Sequence, residues 1–289
     1  MSARFGPAGN AESFSKVHKS SLAAPAWIAQ QGLDCYEYQC GKGVHVGEDT
    51  ARKLGEKARE AGIALSVHAP YFINLANPDP ESRAKTTNYV LESCFVAQVM
   101  GAERIVIHSG ALMKRSRQEA LDIAKETLKQ VLEACDRQGY GNITLCPETM
   151  GKINQLGNLD EVLTLCTLDE RLIPCIDFGH LYARSLGELE GEQACREMLD
   201  KVERVLGEER ASRFHSHFSR IEFTPNGGEK RHRTFADHGG FGPDWTPLAR
   251  EVARRGWSPT FICESAGTQA EDAVEMKRIY QGFCSSEEA

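Results

Sequence analysis

What most constrains this chain is a sustained alternation of short apolar, β-branched runs with amphipathic helical stretches. RFGPA near residue 4, DCYEYQC near 34, IALSVHA near 63 and RIVIHSG near 104 read as strands. ITLCPET near 143, LIPCIDF near 172, RFHSHFS near 213 and TFICES near 260 bring the number to eight. The clearest helix between them runs from about Gln118 to Gln138, where Leu121, Ala124, Leu128, Val131, Leu132 and Cys135 recur at spacings of three and four. Such spacing turns one stripe toward a core, and Gly139 follows as a stop. Eight strand–helix units within 289 residues match a (β/α)8 barrel in number and length. A doubly wound open sheet would carry a glycine-rich phosphate loop after its first strand. FGPAGNAESF has glycines without that pattern, so the expected fold is α/β, a (β/α)8 barrel formed as a single domain over residues 1–289.

The carboxyl ends of these strands share one chemistry. SVHAPY ends on His68, IVIHSG on His108, CPETMG on Glu148, CIDFGH on Asp177 with His180, FHSHFS on His215 with His217, and FICES on Glu264. Taken singly, each has a plain reading as a hydrogen-bonded strand-end histidine or a helix-capping carboxylate. Barrel active sites assemble at this end of the strands, where three carboxylates would repel one another unless cations neutralise them. Histidine with carboxylate suits zinc, manganese or iron. The reading is therefore a multinuclear divalent-metal centre. Asp177 and His180 would face opposite sides of an extended strand, and Gly179 is expected to let the chain turn so that both reach the mouth.

Composition limits the partners. A formal net charge of −7 argues against broad, nonspecific nucleic-acid binding. It leaves room for a local site, because bound cations reverse the field in a carboxylate-lined cleft. KRSR (Lys114 to Arg117) and KRHR (Lys230 to Arg233) are the compact basic runs. No apolar run reaches the roughly 18 residues of a membrane span, and the amino terminus lacks the form of a secretory signal. Ten cysteines without a CxxC pair suggest reduced, buried thiols. The expectation is a cytoplasmic protein with no membrane partner.

HAPYFINLANP, IVIHSG, CPET, CIDFGH and FICES together resemble the endonuclease IV family of apurinic/apyrimidinic endonucleases, within the xylose-isomerase-like TIM barrels. The resemblance covers nearly the whole chain. It implies a first metal on His68 and His108 bridged by Glu148, a second on Glu148, Asp177, His215 and Glu264, and a third involving His180 and His232. It implies zinc, with manganese or iron as alternatives, and hydrolysis of a DNA phosphodiester 5′ to an abasic site, with Glu148 orienting the nucleophile. Tyr71 and Phe72 fall where the family inserts side chains into damaged double-stranded DNA, the implied partner.

Two departures stand out. Lys230 occupies the place of a family aspartate two residues before His232, with Glu229 one position off. Two occupied metals are thus expected, with the third position empty, weak or rebuilt by Glu229. QCGKGVHVGED, after the second strand, lacks the family's arginine-rich stretch against DNA, and Lys42 is a weak replacement. The alternative function is a mononuclear sugar isomerase or epimerase on Glu148, Asp177, His215 and Glu264.

Overall fold

The computed structural model describes residues 2–287. In chain order its strands are β1 (Arg4–Pro7), β2 (Cys35–Gln39), β3 (Ala64–His68), β4 (Arg104–His108), β5 (Thr144–Glu148), β6 (Cys175–Asp177), β7 (His215–Phe218), β8 (Arg220–Thr224), β9 (Gly228–Arg233) and β10 (Thr260–Cys263). Eight pair in the order β1-β10-β7-β6-β5-β4-β3-β2, all in parallel, while β8 and β9 form a separate antiparallel hairpin. Each run read as a strand supplies one of the eight. The edges β1 and β2 meet through a parallel bridge between Ala8 and Glu37. There the Gly9 N–H donates to the Glu37 carbonyl at 2.9 Å and the Asp34 N–H to that of Phe5 at 2.8 Å. The result is a nearly closed barrel.

Local chemistry sets the element ends. The helix expected from Gln118 forms over Arg117–Arg137, opened by a capping box in which Ser116 and Glu119 satisfy each other's backbone N–H groups. Gly62, Gly101 and Gly256 close other helices in the left-handed conformation. Outside the barrel a continuous apolar layer packs strands against helices. Its aromatic part seals the β1–β10 seam, where Phe5 stacks on Phe261 at 5.4 Å and Trp245 stands edge-on to Phe261 at 4.8 Å. Inside, Val106, Cys146, Ile173 and Cys175 form a small apolar cluster. Because strand side chains alternate between faces, Cys146 shares its face with Glu148 and Cys175 with Asp177, so a small apolar plug underlies the polar mouth.

The hairpin β8–β9 is the element the sequence reading left out. RIEFT and GEKRHR carry one fully buried apolar side chain between them, Ile221, so the hydrophobic pattern is faint. The described cysteines are all free. Among the described residues no helix is long and apolar enough to cross a membrane.

The seam that completes the ring depends on Gly6, where a Cβ would lie 1.8 Å from the Cys35 carbonyl oxygen. Gly6→Ala is expected to destabilise the protein by roughly 1–3 kcal/mol or more, because backbone atoms on both strands have to separate. Urea unfolding checks this, and an unchanged midpoint would mean that the seam is loose.

Candidate metal centre

Five barrel strands and the segment after a sixth bring their polar side chains to one mouth. His68 ends β3, His108 ends β4, Glu148 ends β5 and Asp177 ends β6, while His217 lies on β7 and Glu264 follows β10. Parallel register places His108 beside Glu148, and Asp177 beside His217. Asp177 also caps the helix Phe178–Arg184, its Oδ1 accepting the His180 N–H at 2.7 Å. That helical turn, rather than an unusual conformation at Gly179, brings Asp177 and His180 to one side. Gly179 serves a close approach, since a Cβ there would lie 2.7 Å from the Ser219 carbonyl oxygen and 2.7 Å from Ile221 Cγ1.

Each imidazole is held by one nitrogen and presents the other to carboxylates. His68 Nδ1 donates to the Ala69 carbonyl and His108 Nδ1 to that of Tyr71, both at 2.7 Å. Their Nε2 atoms then face Glu148 Oε2 at 3.4 and 3.3 Å. His217 is held at Nε2 by Glu37 at 2.8 Å, so its Nδ1 faces Glu148 Oε1 at 3.1 Å and Glu264 Oε1 at 3.6 Å. His180 Nδ1 reaches the Thr149 carbonyl at 2.8 Å, and its Nε2 lies 3.6 Å from Glu229 Oε2. A bare imidazole nitrogen and a carboxylate oxygen are both acceptors, so each pair needs a proton or a cation between its members. Glu148 Oε2 and Asp177 Oδ2 are buried without a hydrogen-bond partner. Orphaned oxygens among unspent nitrogens fit divalent cations with mixed nitrogen and oxygen coordination.

At the mouth donor atoms converge in three groups: His68, Glu148 and His217, with His108 also reaching Glu148; Glu148, Asp177, His217 and Glu264; and His180, Glu229 and His232. The third depends on a register shift in the hairpin. Glu222 pairs with Arg231 while Phe223 pairs with Glu229, which leaves Lys230 as an extra residue in β9. Residues three apart on a regular strand face opposite sides, and the bulge restores Glu229 and His232 to one side. His232 Nδ1 meets the Ser219 hydroxyl at 2.8 Å, and its Nε2 lies 4.0 Å from Glu229 Oε1. Lys230 points away and pairs with Glu222, so the like charge expected beside this group is absent.

His215 does not join the mouth. It sits two residues before His217 on the same face, one layer deeper, with its Nε2 on Glu37 at 2.9 Å. Strand period explains the difference, since the second histidine of HSH is the one that reaches the rim. Burial pulls His215 down to about 4 despite Glu37, leaving the ring neutral at neutral pH. Cys175 lies near both histidines, and burial holds its thiol well above the ordinary range. Sequence reasoning missed Glu37 because it searched strand ends. The available signal was a carboxylate in mid-strand sharing its face with Cys35 and Gln39 rather than with Tyr36 and Tyr38.

Charges here are interdependent. Burial opposes ionisation of Glu148, but the charge and hydrogen bond of His217 and the close imidazoles of His108 and His68 outweigh it and hold the carboxyl well below its usual range. Asp177 is pushed up by burial and, against His180, by Glu264 and Glu148. Burial lowers His180, yet Asp177, Glu229, Glu148 and Glu264 raise it to about 9. Burial lowers His217, yet the Glu264, Glu37 and Glu148 carboxylates raise it well above its ordinary value.

Tyr71 and Phe72 stand exposed on the rim, 50% and 44% accessible. The Tyr71 carbonyl is the group that orients His108. Lys114 and Arg115 are also exposed, whereas Arg117 is tied to Glu161 at 2.6 Å. Lys230, Arg231 and Arg233 all converge on Glu222.

The chain belongs to the xylose isomerase-like TIM barrel family, whose model matches residues 25–280. An uncharacterized protein of Methanocaldococcus jannaschii is 34% identical over 88% of this chain and 89% of its own length. A probable endonuclease 4 of Acholeplasma laidlawii is 34% identical over 43% of this chain, which spans 44% of that relative. Among solved structures, a D-tagatose 3-epimerase-like protein superposes with a TM-score of 0.74 at 18% identity, covering 99% of this chain and 100% of its own. That last likeness concerns the fold alone.

His180 titrates near 9, above the ordinary ~6.5, so at neutral pH a cation has to displace its proton. Apparent metal affinity is expected to weaken about tenfold per pH unit for each displaced proton as pH falls from 9 toward 6.5. In chelator-treated protein the same group stabilises the fold below about pH 6.5, and that contribution is lost as pH rises through 9. Chelator-competition titrations across this range, with proton release measured alongside, test both statements. A pH-independent affinity would remove His180 from the cation's partners.

Proposed function

We propose that this chain is a metal-dependent phosphodiesterase of the endonuclease IV type, cleaving damaged double-stranded DNA 5′ to abasic sites. The observation that carries the reading is the joining of three donor groups in one mouth, with Glu148 shared by two of them. A mononuclear sugar site would use Glu148, Asp177, His217 and Glu264 and leave His68, His108, His180, Glu229 and His232 without a task. The exposed Tyr71 and Phe72 support a substrate with a base stack, since aromatic rings at the rim can replace stacking lost when a nucleotide leaves the duplex. The shared identity with a probable endonuclease 4 supports the same class.

The proposed ion is zinc, with manganese or iron served by the same donors. His68, His108 and Glu148 would hold one ion, Glu148, Asp177, His217 and Glu264 a second, and His180, Glu229 and His232 a third rebuilt around the bulge. When bound, such ions supply Lewis acidity to a phosphoryl group and a water acidified toward neutral pH. Glu148 fixes the spacing of the first two groups. The backbone carbonyls of Ala69, Tyr71 and Thr149 keep His68, His108 and His180 turned inward, so no reorientation is needed when substrate arrives. Tyr71 couples rim and centre, because the residue that would contact DNA also orients His108.

The second reading is a sugar epimerase, favoured by the complete set of Glu148, Asp177, His217 and Glu264 on four strands and by the epimerase-like fold neighbour. Zinc-loaded protein offered a duplex with one tetrahydrofuran abasic analogue, beside a panel of ketohexoses, separates the two. Scission on the 5′ side of the lesion is expected, abolished by chelator and restored by zinc. Epimerised sugar without scission would install the second reading.

Three variants extend the test. Glu148→Gln should fold normally and lose more than ~100-fold in scission rate together with tightly bound metal. Tyr71→Ala should weaken binding to the lesion duplex roughly tenfold while leaving metal content unchanged, in line with the loss of one stacking contact. Glu229→Gln should lower metal stoichiometry by about one, by elemental analysis. Three equivalents retained in Glu229→Gln would place the third ion elsewhere.

A further inference from the structure

We infer that Glu37 is a positioning residue that sets the tautomer and aim of His217 toward the metal centre. The inference rests on the centre proposed above and concerns a residue outside its donor groups. Glu37 lies on β2, a strand that contributes nothing to those groups, and is fully buried. Its Oε1 accepts from His217 Nε2 at 2.8 Å and from Gln39 Nε2 at 3.1 Å. Its Oε2 accepts from His215 Nε2 at 2.9 Å and from the Ser66 hydroxyl at 2.9 Å. Four donors on one carboxylate leave no place for a proton on it, so both histidines carry hydrogen on Nε2.

For His217 this fixes which nitrogen is free. His68, His108 and His180 have Nδ1 on a backbone carbonyl and present Nε2, whereas His217 is reversed and presents Nδ1 to Glu148 and Glu264. No carbonyl holds its far nitrogen, and a carboxylate from another strand does so instead. An anion behind a metal-binding imidazole makes the ring a stronger donor and locks its orientation. His215 completes the hold. It engages the other oxygen of the same carboxylate, with its own Nδ1 unpartnered and one layer too deep for the mouth. A purely structural role would need only that the buried carboxylate be satisfied, and an amide of the same shape would largely meet that need.

Glu37→Gln distinguishes the two. Its amide can still accept through oxygen, but an N–H2 turned toward His217 forces that ring to the other tautomer, with a proton on Nδ1 facing the cation. The wild type and Glu37→Gln would each be stripped with chelator, titrated with zinc by competition, and loaded with cobalt(II) for visible absorption. Expected are retained folding, ~10- to 100-fold weaker binding at one class of site, and an altered cobalt spectrum. Glu37→Asp should recover part of both. Equal affinity and an identical spectrum in Glu37→Gln would overturn the inference while leaving the metal centre standing. A wild-type chain that binds neither ion would overturn the centre and the inference together.

Should Glu37→Gln fail to fold, the zinc-loaded wild type decides alone. Long-range 1H–15N correlation is expected to find His217 protonated on Nε2 and bound through Nδ1. The reverse assignment would refute the role of Glu37.

Discussion

Everything at the mouth hangs on the cost of burying negative charge. Glu37 and Asp177 are fully buried and Glu148 nearly so, with Glu264 close to them at the end of a parallel barrel. Burial alone would protonate such groups. They remain a workable anionic cluster because imidazoles stand between them, each tethered on its far side to a carbonyl, a hydroxyl or Glu37. The tethers turn what would be mobile rings into fixed donors. Cation binding then becomes the exchange of protons for metal within a frame already assembled.

That frame comes from the barrel. Its interior plug is small, Val106, Cys146, Ile173 and Cys175, which leaves the layer above free for polar side chains. The rigidity comes from outside, where large aromatic and aliphatic side chains press the helices against the strands. Separating the two duties explains how a ring of strands tolerates several buried ionisable groups without losing its packing.

Much of this was legible in the sequence, and the exceptions share a cause. Strands carrying apolar runs announce themselves, so the eight runs are legible as the eight barrel strands. The sequence offers His215 and His217 together and assigns the second metal to His215, because the pattern reveals the face of a strand but not the layer at which it meets its neighbours. Glu37 was invisible to a search of strand ends, since its role arises from contacts with β7, about 180 positions away in the chain. The hairpin β8–β9 was missed because one buried isoleucine is too little signal. The turn at Gly179 was read as a matter of conformational freedom, and the structure makes it one of clearance beside Ser219 and Ile221.

The bulge at Lys230 has a wider meaning for how such a site can change. A strand normally transmits an inserted residue to everything beyond it by turning every later side chain over. Here the extra residue is absorbed locally, and its side chain is parked on Glu222. The hairpin also lies outside the barrel sheet, its Ile221 N–H donating to the Gly242 carbonyl and its Glu229 N–H to the Gly151 carbonyl beyond β5. Two of the nine donor residues, Glu229 and His232, therefore ride on a peripheral module whose register can drift by a residue without disturbing the load-sharing ring beneath. That corner can therefore change in spacing and in ligand type while the other seven donors stay where the barrel strands and the helix after β6 hold them.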